Sequence, residues 1–443
     1  MDAPARPELR RLALDGLSQD AYAALLRRTE NDLTAYIEKI TPILDRVRAE
    51  GDTAVAEFGR TFDHADISAQ ALQVEADAFD AAETRLDPDL KTSMRFAAER
   101  IRAFHQAQMP EDMWLKEMGR GVFAGDRWTA IPSVGCYVPR GKGAFPSAAL
   151  MTTIPAAVAG VPEIIVLTPP TPDGGADDAT LFACRLAGID RVFKAGGAQA
   201  VAACAYGTAT IPRIAKLVGP GSPWMTCAKR MLSDRIDPGM NAGPSESIVF
   251  ADGTTPARTV ALDLLNEAEH GPDSAAYLVT TDPAHADAVA EEVLGLLSHM
   301  SEERAGYALT VLSGPQGGIL LAPDTDTACR FINDFAPEHL MVQSKDPFRY
   351  LSDLKHAGEI LLGEHSAISI ANFVIGPNHV LPTGGAARTG SPLSVFDFLK
   401  RQTIVHLTRD GYDLLADHAG RFARYEGFDA HANAVSPLRD GKE

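Results

Sequence analysis

Apolar positions recur every three or four residues through most of residues 18–106, the spacing of helices with one buried face. Residues 21–28 and 33–50 carry it, and Gly51-Asp52 stops the second run. A further amphipathic stretch, 92–108, ends ahead of Pro110. Near Trp128 the pattern changes. Short apolar runs at 133–139, 163–168 and 191–194 alternate with helical runs at 147–159 and 179–187. A second block follows: 247–251, a helix over 256–269, 275–280 and a helix over 284–297. Further strands are predicted at 308–312, 339–342 and 359–362. Strand–helix–strand alternation at this spacing indicates parallel sheets flanked by helices. From about Pro392 the chain reads as a helical appendage. The pattern predicts two α/β units, a helical lead-in and a helical tail.

The 443 residues are 45% hydrophobic and 23% charged, enough to bury a sizeable core. Lys and Arg number 41 against 59 Asp and Glu, a net charge of −18. That balance argues against a nucleic-acid or anionic-membrane partner, because counterion release needs a basic surface. A small anionic substrate needs only a local positive pocket. The most apolar stretch, 148–170, is broken by Pro155, Pro162 and Glu163, short of the roughly 20 apolar residues a membrane span requires. Residues 1–11 are polar and contain no apolar signal core. Five scattered cysteines without a Cys-x-x-Cys pair fit reduced thiols in a cytoplasmic protein.

Three glycine-rich turns fall in the first α/β block: Pro139-Arg140-Gly141-Lys142-Gly143, Gly196-Gly197-Ala198-Gln199 and Gly219-Pro220-Gly221-Ser222. Such turns let the backbone approach a phosphate at a helix N-terminus, although none matches the dinucleotide fingerprint and each alone is an ordinary tight turn. Asp263, Glu267 and His270 share one face of the helix predicted over 256–269. A Glu-x-x-His pair can place an oxygen and an imidazole nitrogen on one metal ion. Spacing alone favours the plainer reading, a solvated acidic face with a helix-terminal histidine. In Pro337-Glu338-His339-Leu340 a carboxylate and an imidazole stand side by side at the start of an apolar strand. A tuned general base and a hydrogen-bonded polar pair at a domain seam fit this equally well. Polar clusters at 372–382, with Asn372 and His379, and at 426–434, with Glu426 and His431, complete the set.

Together these segments resemble the histidinol dehydrogenase family over residues 47–434. The resemblance rests on Val134-Gly135-Cys136-Tyr137-Val138-Pro139, Gly196-Gly197-Ala198-Gln199-Ala200, Ala242-Gly243-Pro244-Ser245-Glu246 and Ala268-Glu269-His270-Gly271. Pro337-Glu338-His339-Leu340, Asn378-His379-Val380-Leu381-Pro382-Thr383 and Ala430-His431-x-Asn433-Ala434 follow in the family's order. The resemblance implies oxidation of a primary alcohol to a carboxylate by two NAD-dependent hydride transfers through a bound aldehyde. It implies that Glu338 and His339 are the acid/base pair, His339 taking the alcohol proton and Glu338 activating water. Tyr137, Gln199 and Ser222 fall at NAD contacts, and Ser245, His379, Glu426 and Asn372 at substrate contacts. One zinc ion per subunit is implied at Glu267, His270, Asn372 and His431, with His431 supplied by the partner subunit of a homodimer. The expected architecture is two Rossmann-like parallel-sheet domains: residues 1–136 begin the first, 137–244 form the cofactor domain, 245–391 complete the first, and 392–443 reach the partner.

Three positions depart from the family pattern. Glu267 stands where the family has Gln, Asn372 where it has Asp, and Ser222 where it has Asn. The first two changes offset, so zinc would still meet one anionic ligand and two imidazoles. A binding-only relative would be expected to lose ligands without such compensation. Asn372 can donate where Asp cannot, which favours an anionic substrate. The expected alcohol is 2,3-dihydroxypropane-1-sulfonate, oxidised to sulfolactate, with L-histidinol as the alternative. Arg140 and Lys142 are candidate sulfonate contacts by charge.

Overall fold

The computed structural model describes residues 8–28, 33–140 and 143–441. Among these, one compact unit comprises residues 8–108 and 132–398, and a second comprises 109–131 and 399–441.

The first unit contains two parallel sheets. The larger runs in the order Arg11–Ala13, Gly317–Leu321, Ala275–Thr280, Glu246–Ala251, His339–Gln343, Glu359–Leu362. Its central strands are buried on both faces. Val249, Leu278 and Met341 pack on one side with Val260, Leu264 and Val289 of the helices Ala257–Ala268 and Pro283–Leu296. Ile248, Phe250, Tyr277 and Leu340 pack on the other with Phe331 and Phe335 of Thr325–Phe335. This two-sided burial explains the unbroken apolar runs in the sequence.

The smaller sheet runs Val192–Lys194, Glu163–Thr168, Ser133–Tyr137, Lys216–Val218. In chain order that is 3-2-1-4, half of a Rossmann fold, with its switch point between Ser133–Tyr137 and Lys216–Val218. The helices Thr34–Glu50 and Asp52–Phe62 cover one face, burying Ile40, Leu44, Val47 and Val55 against Leu167 and Phe193. Gly51, at φ +56°, makes the break between them.

The second unit holds a three-stranded antiparallel sheet, Leu399–Leu407, Val122–Ala130, Met113–Gly119, and the helices Arg409–Tyr425 and Asp429–Ala434.

The α/β class with parallel sheets and helical ends is as expected, but four details differ. Residues 308–312 lie in the helix Glu302–Ser313: Ser301 caps it, and Ala308, Val311 and Leu312 bury one face at helical spacing. The strand of that block is Gly317–Leu321. The tail begins with a nine-residue strand, Leu399–Leu407, whose burial is too irregular to mark it in sequence. The lead-in supplies the edge strand Arg11–Ala13 and the strands Met113–Gly119 and Val122–Ala130. The smaller sheet begins at Ser133, so a division at 136/137 falls inside a strand. All five cysteines are buried and unbonded. No described helix is long and apolar enough to cross a membrane.

Candidate active site

The first unit carries a cavity of about 320 Å³ where the two sheets' loops converge. From the smaller sheet come the loops after Ser133–Tyr137 and Lys216–Val218, bringing Arg140, Gly221 and Ser222. These lie at carboxyl ends of strands at the switch point, where open α/β sheets bind ligands. The two turns approach so closely that any side chain at Gly219, whose φ is +115°, would strike the Tyr137 carbonyl. The larger sheet contributes the amino ends of two strands, with Ser245, Glu338 and His339. Glu267, His270, Asp273, Asn372 and His379 also line the cavity.

Glu338 and His339 are 7% and 3% exposed. The backbone N–H of Glu246, on the neighbouring strand, donates to Glu338 Oε2 at 3.0 Å. Glu338 Oε1 lies 3.9 Å from His339 Nε2. On the other side of the ring, His339 Nδ1 lies 3.0 Å from Glu359 Oε2. Burial pushes the Glu338 carboxyl well above its usual range, and the nearby Glu267 and Glu246 add to this against the pull of His339. Burial alone would lower His339, but Glu338, the Glu359 bond and Glu267 outweigh it and raise the ring to about 9. Burial and the charge of His339 push His379 down to about 4, and its Nε2 is buried without a hydrogen-bond partner. A protonatable base and a neutral imidazole therefore share one cavity.

Glu267, 1% exposed, sits on the helix Ala257–Ala268, whose apolar residues Val260, Leu264 and Leu265 fix that face inward. His270 follows the helix end. Its Nδ1 lies 2.9 Å from the Asn266 carbonyl oxygen, which it can only reach as a donor, so Nε2 keeps its lone pair. Glu267 Oε2 is 3.5 Å from that Nδ1. Asn372, on Ile368–Phe373, places Nδ2 3.5 Å from Glu267 Oε1, and its Oδ1 is buried without a partner. An imidazole nitrogen, a carboxylate and an orphaned amide oxygen form a donor set that fits zinc, and the bond from His270 Nδ1 to the Asn266 carbonyl is the kind that orients a ligating histidine. Among the described residues, no three His, Cys, Asp or Glu side chains converge on a metal position.

The cofactor candidates Tyr137 and Gln199 are buried beside each other's loops. The N–H of Gly197 donates to the Tyr137 hydroxyl at 3.1 Å, and Gly197 precedes Gln199 in the first turn of Gly197–Tyr206. Burial raises the Tyr137 hydroxyl to about 12, so it stays a neutral donor. Ser222 caps the helix Pro223–Met231. Glu426 and His431 belong to the second unit, where both are exposed, at the end of Arg409–Tyr425 and on Asp429–Ala434. Arg140 lines the cavity, while Lys142 lies outside the described residues. Asp263 shares the face of Glu267, but that face is buried rather than the solvated one that spacing favoured, because the helix packs it against the sheet, and Asp263 bonds to Gln343 away from the cavity lining.

Two contributors were not singled out from sequence, Glu246 and Glu359. Both begin strands that are otherwise apolar, the same signal that drew attention to Glu338-His339. Glu359 also stands opposite His339 if the strands 339–342 and 359–362 pair in parallel from their first residues, as they do.

Residues 26–438 match the family described as histidinol dehydrogenase. A histidinol dehydrogenase homolog of Colwellia psychrerythraea is 52% identical over 96% of both chains. One of Rhizobium meliloti is 54% identical over 96% of this chain and 93% of its own. A histidinol dehydrogenase of Synechocystis is 45% identical over 96% and 98%. The crystal structure of histidinol dehydrogenase from Elizabethkingia anophelis superposes with a TM-score of 0.91 at 30% identity, covering 98% of each chain. The chain belongs to the histidinol dehydrogenase family of NAD-dependent oxidoreductases acting on CH–OH groups.

Proposed function

We propose that the protein oxidises a primary alcohol to a carboxylate in two steps within the cavity lined by Glu338 and His339, and that its substrate is 2,3-dihydroxypropane-1-sulfonate. NAD would supply the hydride acceptor, and zinc, which Glu267, His270, Asn372 and the partner's His431 would hold, would supply a Lewis acid for the alcohol oxygen. His339 Nε2 takes the proton of the alcohol. Glu338, held by the Glu246 N–H, then takes a proton from the water that hydrates the aldehyde, and His339 acts again in the second oxidation. Ser245 and the neutral His379 orient the substrate, with Glu426 contributed by the tail of the partner subunit.

The homodimer is part of this reading. The second unit exposes Leu414, Phe422, Tyr425 and Phe428 on the segment that carries Glu426 and His431. An apolar face of that kind supports association with a second copy, which would bring the zinc ligand with it.

The sulfonate assignment is carried by Asn372. Its amide adjoins Glu267 in the same cavity as the acid/base pair, so position 372 adds no carboxylate to those of Glu267, Asp273 and Glu338. Arg140 supplies a cation to the same cavity. Relatives at 52% and 54% identity are called homologs, while a relative named plainly histidinol dehydrogenase stands at 45%, which supports a separate branch. The test offers the zinc-loaded protein and NAD either dihydroxypropanesulfonate or L-histidinol, at equal concentration. Faster NADH formation with the sulfonate supports the assignment. Efficient oxidation of histidinol alone overturns it and leaves the family chemistry standing.

A further inference from the structure

The reaction proposed above converts one alcohol, one water and two NAD⁺ into one carboxylate, two NADH and three protons. Whatever group receives those protons must discharge them between steps, inside a site whose base is 3% exposed. On the substrate side, His339 Nε2 faces the cavity that holds Ser245, Glu267 and His379. Behind it the ring meets Glu359. The two residues are register partners on adjacent parallel strands, so their side chains rise from the same face of the sheet. The backbone N–H of Glu359 also donates to the Glu338 carbonyl at 2.9 Å, which locks that register at the catalytic residue.

Glu359 does not line the substrate cavity. It lines a second one, of about 260 Å³, walled by the apolar Phe104, Leu393 and Phe396 and also by Gln108, Asn378 and Ser394. Polar side chains of this kind can hold water. The Glu359 side chain is 12% exposed against 4% for the His339 ring, so the carboxylate is the wetter of the two. The pair therefore spans the wall between the substrate cavity and a second cavity into which polar side chains reach.

We propose that Glu359 is the positioning residue of His339 and its proton outlet. Its carboxylate accepts the Nδ1–H, which fixes the ring orientation and leaves the Nε2 lone pair facing the substrate. When Nε2 takes the alcohol proton, the ring becomes an imidazolium whose charge the Glu359 carboxylate balances across the Nδ1–H bond. Between steps the imidazolium gives up one proton, the Nδ1–H passing through Glu359 to water in the second cavity. When solvent next enters the substrate cavity, Nε2 releases its proton there and Nδ1 regains one through Glu359, so that one proton leaves in net per step. No electrons move in this relay. A carboxylate behind an imidazole base is a recurring device for orienting the ring and stabilising its charged form.

This inference rests on His339 being the base, and the test separates the two claims. NADH formation is measured for the wild type, Glu359→Gln, Glu359→Asp, Glu359→Ala and His339→Ala, with both alcohols. Glu359→Gln is expected to lower kcat by about 10²–10⁴-fold with KM little changed, the range of a lost acid/base partner. Glu359→Asp recovers part of the loss, and added formate restores rate to Glu359→Ala but not to His339→Ala. A Glu359→Gln protein with wild-type kcat, or an Ala variant indifferent to formate, overturns the proposal. If His339→Ala keeps turning over, the base assignment itself fails.

A second measurement needs no substrate. Nitrogen-15 NMR of labelled histidine, with His339 identified by its loss in His339→Ala, follows the ring through a pH titration. The groups facing it are Glu338, Glu359, Glu267 and His379. Removing the Glu359 charge is expected to lower the protonation midpoint and to scramble the tautomer. An unchanged midpoint and tautomer overturn the proposal.

Discussion

Replacing Arg28 by Met would expose how the site is held. Arg28 Nε donates to Glu246 Oε1 at 2.6 Å, and both side chains are 5% exposed. The other guanidinium nitrogens donate to the carbonyls of Leu26 and Phe335 at 2.8 Å, and the cation lies 3.3 Å from the Phe335 ring centroid. Glu246 also accepts from the Gly384 N–H at 3.0 Å, while its own N–H carries Glu338. Met fills the stem volume of Arg, so the main effect is a buried carboxylate left without its cation. Breaking such a pair costs roughly 3–5 kcal/mol. Glu246 is already raised by burial, against the pull of Arg28 and the Gly384 bond. Losing Arg28 raises it further. A carboxyl whose folded pKa exceeds its unfolded value costs stability once pH rises above the unfolded value, about 4.3. The loss should therefore be fully expressed above the folded pKa and shrink as pH falls toward 4.3. Urea titrations at several pH values read it as a fall in the midpoint at constant slope. The double variant Arg28→Met with Glu246→Gln should lose less than the single variant. A shift below about 1 kcal/mol at pH 7, or one independent of pH, would refute the reasoning.

His339→Ala should abolish measurable turnover, a loss of at least about 10²–10⁴-fold, while the protein stays folded and keeps its zinc. A structure of the zinc-loaded dimer should show the metal between Glu267 and His270 of one chain and the partner's His431; a His431 remote from both in either chain contradicts the shared site. His270→Ala and His431→Ala should each reduce zinc retained on dialysis, measured by elemental analysis, and equal retention would remove them as ligands. The double change Glu267→Gln with Asn372→Asp keeps the ligand charge but returns a carboxylate to position 372. It should weaken kcat/KM for dihydroxypropanesulfonate, since like-charge juxtaposition costs several kcal/mol.

The two α/β blocks were legible because their strands are buried on both faces and punctuated by amphipathic helices. Glu163–Thr168, Ala275–Thr280 and Glu359–Leu362 are bounded as the pattern predicts. The antiparallel strands were not. Met113–Gly119 is exposed along almost its whole length and Leu399–Leu407 over most of it, so neither displays alternation. Residues 308–312 misled because a five-residue apolar run satisfies either period until the cap at Ser301 is weighed. At the site, spacing brought out Glu267-x-x-His270 and the Glu338-His339 pair, whereas their roles came from the family resemblance. Glu246 and Glu359 escaped because each acts through a strand pairing, and register is written in the sheet rather than in either segment.

The proposed reaction makes two oxidations at one site. Counting NADH against alcohol consumed, with the aldehyde trapped and quantified, tests this most directly. The predicted result is two NADH per alcohol, carboxylate as the product and little free aldehyde, because Glu338 and His339 stay beside the intermediate throughout. A ratio of one, with aldehyde accumulating in solution, would contradict it.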